Sequence, residues 1–157
     1  MREAILIAFT FLIAMMLAIL PLPPWIVWFR PSWTLMILLF WLIAMPYRVG
    51  IIIAFIVGLF LDLLTGTILG QHALVLTIIA YLVVRLHTQV RSLPLWQQTL
   101  LVMLSTLLYL AMQYWIMALS GMSLDAIRYW LPIITTTLFW PWVQLLLNDY
   151  QHRFKLC

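Results

Sequence analysis

Few residues in this chain could do chemistry. Among 157 residues there are four carboxylates, three histidines and one cysteine. Glu3, Asp125 and Asp149 lie beside apolar runs, whereas Asp62 lies inside one, in the stretch GLFLDLLTGTILG from Gly58 to Gly70. Ionised and turned to lipid, an aspartate at the centre of a membrane helix costs on the order of 2.5–3.5 kcal/mol. Asp62 is therefore expected to face protein or water. Gly58, Gly66 and Gly70 accompany it at four-residue intervals, which aligns them on one helical face for as long as the helix persists. Small residues on such a face let a neighbouring backbone approach, and Gly58 is read as a helix-packing position.

Catalytic constellations are not found. His72, His87 and His152 are far apart in sequence, and the topology derived below puts the first on one side of the membrane and the others on the opposite side, so no shared metal site is expected. There is no HExxH, no GxSxG and no glycine-rich phosphate loop. Intramembrane aspartyl proteolysis needs two aspartates within spans, and only Asp62 lies in one. The expectation is a protein that is not an enzyme, with no catalytic residue, metal or cofactor. Cys157 has no partner for an intramolecular disulfide and does not stand four from the end, as a prenylation box requires.

The elements that position these residues follow from composition. The chain is 67% hydrophobic and 8% charged, against about 25% charged in ordinary soluble domains. No water-soluble fold of this length buries so much apolar surface, so the solvent is a bilayer. Six apolar segments are predicted: Ala4 to Leu20, Trp33 to Met45, Gly50 to Leu64, Ala73 to Val84, Leu100 to Leu119 and Trp130 to Leu147. They form one polytopic transmembrane domain over residues 1–157, all-α in class. The first segment resembles a secretory signal but runs into Pro21-Leu-Pro-Pro-Trp25 with no small-x-small cleavage site, so it reads as an uncleaved helix.

An even number of spans puts Arg2, Arg48, Arg85, Arg91, Arg153 and Lys155 on one side and only Arg30 and Arg128 on the other. The positive-inside rule then places both termini in the cytoplasm of a multi-pass inner-membrane protein. Trp25, Trp28, Trp33 and Trp130 fall at the outer boundary and Trp96, Trp140 and Trp142 at the inner one, as an aromatic belt. Trp41 and Trp115 fall deeper, between helices or against hydrocarbon. The basic residues are scattered singly, which argues for topology signals and against nucleic-acid binding. The stretch RLHTQVRSLPLWQQ reads as a helix end and interfacial turn, with a docking site for a cytoplasmic partner as the other reading. Pro31 and Pro132 suit first-turn positions, and Pro141 is expected to kink the last helix.

A span needs about 20 residues, and the second, third and fourth segments are shorter. The turn between the third and fourth is therefore expected to lie below the outer surface, leaving a concavity, unless the fourth helix runs on through Arg85 to Val90. Asp62 lies roughly 18 Å beyond Gly50 along a helix, in the outer half of the bilayer. Arg30 and Arg128, the basic residues of that side, are its expected ion-pair partners. Three readings stay open. Asp62 caps a broken helix near Thr65-Gly66 and holds the bundle together, or Asp62, Arg30, Gly66, Gly70, His72 and Arg128 form a partner-binding pocket, or Asp62 serves a proton relay.

Several short motifs recur in a recognisable order: Arg30-Pro-Ser-Trp33, Met45-Pro-Tyr-Arg48, the G-x-x-x-D-x-x-x-G-x-x-x-G of Gly58 to Gly70, Leu95-Trp-Gln-Gln98, and Leu138-Phe-Trp-Pro-Trp142. Together they resemble the bacterial rod shape-determining MreD family over essentially the whole chain. The resemblance implies a non-enzymatic subunit of the cell-elongation machinery that supports lateral peptidoglycan synthesis and binds MreC. It also implies MreB, RodZ, RodA and a penicillin-binding transpeptidase as further associates, membrane lipid as surroundings, and a fold similar to the substrate-binding subunits of energy-coupling-factor transporters. The competing class is a small-molecule binding or transport subunit, which should bring more hydrogen-bonding side chains to its cavity than this chain supplies.

Overall fold

A computed structural model describes residues 1–123 and 125–155; the reading of Cys157 lies outside them. All regular structure among the described residues is helical: α1 (Arg2–Ile19), α2 (Trp33–Ala44), α3 (Ile51–Thr65), α4 (Gln71–Arg91), α5 (Leu95–Leu119), the short α6 (Ala126–Tyr129) and α7 (Leu131–Arg153), with one 3-10 turn at Val27–Phe29. The breaks fall where backbone chemistry requires them. The prolines from Pro21 to Pro24 follow α1, Pro46 follows α2, and Pro94 immediately precedes α5. Gly66 ends α3 in the left-handed conformation, φ 67°, open to glycine at no steric cost.

Five of these stretches are long and apolar enough to cross a membrane, counting α2 together with the turn before it and α7 together with α6. The apolar α3, at 15 residues, is shorter. Around the bundle, α1, α3, α4, α5 and α7 pack in succession, and α2 packs against α1, α4 and α7. Every residue of α2 from Thr34 to Ile43 is buried, so it forms the core. The periphery carries exposed Phe9, Leu63, Leu74, Leu107, Leu138 and Trp142, an apolar exterior suited to lipid. Because hydrocarbon gives apolar side chains no reason to leave it, contacts inside such a bundle rest on close packing and buried hydrogen bonds. One of these bonds joins α1 to α2: the indole N–H of Trp41, fully buried, donates to Thr10 Oγ1 at 2.9 Å. Trp115, by contrast, is turned outward.

Several predicted boundaries need correction. The fourth helix is not a short Ala73–Val84 span: it takes the alternative course through Arg85, running from Gln71 to Arg91, because an arginine near a helix end reaches the interface along its own stem. The fifth starts at Leu95, before the polar Gln97 and Gln98, and the last reaches Arg153. Pro31 stands ahead of α2, outside its first turn, whereas Pro132 does lie in the first turn of α7; helix continues through Pro141.

What remains short is α3, roughly 22 Å at ~1.5 Å per residue. Its connection to α4 therefore turns back early. Gln71, the first residue of α4, donates its side-chain amide to Gln113, and α5 continues six residues beyond that point. The far end of α5 thus extends roughly 9 Å beyond the level of Gln71. The two helices below the turn are tightly apposed: a Cβ on Gly58 would stand 2.3 Å from Ala73 Cα.

Candidate functional site

The centre of the α3–α4 joint is Asp62. Helix α4 begins after Gly70, whose φ of 95° is left-handed and whose missing side chain cannot cap the helix. Asp62 supplies the cap from the preceding helix. Its Oδ2 accepts the backbone N–H of Gly70 at 2.9 Å and of Ala73 at 3.4 Å, and its Oδ1 accepts the backbone N–H of His72 at 2.9 Å. Oδ1 also accepts the Thr67 hydroxyl at 2.9 Å and faces His72 Nδ1 at 2.7 Å. Five donors converge on two oxygens, the complement of a carboxylate, which only accepts. The site also uses the partial positive charge at a helix N-terminus. The Asp62 side chain is wholly enclosed.

The expected pairing with Arg30 or Arg128 is thereby corrected. His72 and the amides at the start of α4 satisfy Asp62. It also caps the helix that follows the break, not the α3 end near Thr65-Gly66, where the Asp62 backbone carbonyl accepts the N–H groups of Gly66 and Thr67. Arg30 instead donates through Nη2 to the carbonyls of Leu17 at 2.9 Å and Leu20 at 2.6 Å, closing the C-terminal end of α1. Arg128 is exposed on α6, whereas the Asp62 side chain is enclosed and paired with His72. Gly66 and Gly70 belong to the turn, since helix stops at Thr65, and only Gly58 of the three faces a neighbouring helix.

Beside this joint lies a cavity of about 200 Å³. Arg30, Ser32, Thr34, Thr65, His72 and Tyr109 are its polar lining residues, and Leu35, Leu61 and Pro132 form much of its apolar wall. Arg30 and His72, distant in sequence, are brought together here, and Asp62 stands behind the imidazole. With Nδ1 held by Asp62, the ring's other nitrogen, Nε2, has no hydrogen-bond partner among the described residues. The tilted Tyr109 ring lies 6.0 Å from the imidazole, centroid to centroid. Two further polar atoms are buried without partners: Arg30 Nε and Thr34 Oγ1, the latter on a residue 4% exposed. Buried polar groups are nearly always paired, so two orphans around one cavity mark a place shaped for something that supplies the missing bonds.

Thr34, Thr67 and Tyr109 escape a reading of the sequence. Threonines and tyrosines in apolar runs carry no spacing signal, and only the fold shows which of them face inward. No cluster of three or more metal-ligating side chains occurs among the described residues. What the arrangement offers is a fixed imidazole, a partly free guanidinium and a hydroxyl around a small recess.

Comparison with known proteins adds an independent line. The sequence profile of the rod shape-determining protein MreD family matches residues 2–150. The Rod shape-determining protein MreD of Haemophilus influenzae is 36% identical over 150 residues, which span 93% of this chain and 90% of that protein. No solved structure matches.

Proposed function

The chain belongs to the MreD family of rod shape-determining proteins, and from that premise we propose that its recess at the α3–α4 joint receives the membrane-proximal segment of MreC. In this reading the protein is a non-enzymatic membrane subunit of the cell-elongation complex. It biases the conformation of MreC and so supports lateral peptidoglycan synthesis, with MreB, RodZ, RodA and a penicillin-binding transpeptidase as further members of the assembly. The termini face the cytoplasm and the recess faces outward, by the excess of basic residues at the end of the bundle that carries the termini. A fold like that of energy-coupling-factor binding subunits accompanies the family and suits a bundle that keeps a concavity without catalytic groups.

One observation carries the proposal. The recess combines unpartnered Arg30 Nε and Thr34 Oγ1 with an imidazole held in place by Asp62. A partner segment that brings one polar side chain into an otherwise apolar contact completes these bonds. About 200 Å³ is small against pockets of ~300–1,000 Å³ that enclose drug-sized ligands. That size favours a side chain or two of a docked protein over a whole small molecule.

The test uses Arg30→Ala and His72→Ala. Each variant is expected to accumulate in the membrane, to lose most MreC copurification and to yield rounded cells. Normal rod shape with full copurification in both variants contradicts the proposal.

A further inference from the structure

At the end of the bundle that carries both termini lies a second cavity, of about 260 Å³, enclosed by the ends of α2, α4, α5 and α7. Its polar lining comes largely from one face of α7. Trp140, Gln144, Asn148 and His152 recur every four residues, so they stack along a single stripe leading from the interior to the helix end. A polar stripe on a membrane helix belongs against protein or water, and this one does.

The orientation of two side-chain amides follows from their neighbours. The Gln98 side-chain N–H₂ donates to the carbonyls of Val90 at 3.2 Å and Leu93 at 3.3 Å. Its oxygen must then be the acceptor, and Gln144 Nε2 donates to it at 2.7 Å. That leaves Gln144 Oε1 buried with no donor. On the turn before, Trp140 is fully buried and its indole N–H has no acceptor. One unmet acceptor and one unmet donor, a helical turn apart, match the backbone of an extended segment, in which the N–H and C=O of a residue point to the same side. The lining also holds Arg91 and His152 and no carboxylate. Asp149, close to His152 in sequence, pairs with Arg153 at 2.9 Å, both side chains largely exposed.

We propose that this cavity is a docking site for an acidic segment of a cytoplasmic polypeptide. A carboxylate of that segment meets Arg91 and His152, and its backbone meets Gln144 Oε1 and the Trp140 N–H. The volume equals about nine waters at ~30 Å³ each, more than a single bridging water or ion requires. The site is separate from the recess at the opposite end. Only its cytoplasmic assignment rests on the topology given above.

The experiment takes the full chain in nanodiscs of phosphatidylcholine, where both faces are accessible, and titrates a fluorescein-labelled, end-blocked hexaglutamate peptide by anisotropy. Saturable binding is expected, about tenfold weaker in Arg91→Gln and in Gln144→Leu, the scale of one lost charged or buried hydrogen bond. Trp140→Phe, which removes the N–H together with part of the ring, weakens it several-fold, and the hexaglutamine counterpart binds much less. Thermal melting of each variant checks that it is folded, and MreC copurification stays unchanged, which separates this site from the outer recess. Absence of saturable binding means a cavity holding water only and overturns the proposal. So does equal affinity in wild type, Gln144→Leu and Trp140→Phe, which reports surface charge alone. Abolition by phosphatidylglycerol in the disc or by inorganic phosphate assigns the site to a headgroup or free phosphate and overturns it as well.

Discussion

Asp62 is a charge inside an apolar run whose cost is met locally. Its five donors are two side chains and three backbone amides of the turn and the first residues of α4. The sequence makes the aspartate conspicuous because carboxylates are rare in membrane spans, but it points to the wrong partners. Arg30 and Arg128 stand out as charges, whereas the groups that answer Asp62 are mostly main chain, and no side-chain pattern records which way an amide points. Asp62→Asn keeps the shape but places an N–H₂ where every neighbour donates. Losing charge-assisted bonds and leaving donors unmet is expected to cost about 1–3 kcal/mol. The measurement is thermal unfolding in detergent, with a lowered transition as the expected outcome. His72→Ala, which leaves the backbone cap intact, should unfold close to wild type while failing to hold the partner.

At the scale of elements, the α3–α4 hairpin sets the depth of the recess. Its short first helix and its left-handed Gly66 and Gly70 bring the turn back below the end of α5. The shortness of α3 was legible from the distance between Gly50 and the glycines after Asp62. The length of α4 was legible only as one of two readings, because Arg85 interrupts the apolar run, and the fold decides for the helix that continues past it to Arg91. Close apposition of the hairpin depends on Gly58. A methyl there meets Ala73 backbone atoms at 2.3 and 2.6 Å, which no side-chain rotation relieves. Gly58→Ala is expected to destabilise by about 1–3 kcal/mol, as overpacking does. It should reduce accumulation in the membrane, measured by quantitative immunoblot, and the larger Gly58→Val should reduce it further. Equal accumulation of wild type and both variants would show that the hairpin does not need this contact.

Across the whole molecule, a core helix and five surrounding helices carry the two recesses described above at opposite ends of the bundle. The membrane class and the count of apolar segments follow directly from composition and from where proline and charge interrupt the chain. The packing of α2 at the centre does not, since α3, nearly as apolar, leaves Ile52 and Leu63 exposed. The cross-bundle bonds Trp41–Thr10, Gln71–Gln113 and Gln98–Gln144 are equally silent in sequence. Polar residues dispersed through apolar runs reveal their partners only when the helices are assembled.

The central claim is that the recess beside Asp62 and His72 holds MreC. The most direct measurement places a photo-crosslinking phenylalanine analogue at Tyr109, whose ring faces the imidazole there, and at outward-facing Leu107 as a control. Illumination of living cells is expected to join the chain to MreC from position 109 and not from position 107. A crosslink from 107 with none from 109, or none from either in cells where MreC still copurifies, would contradict the claim.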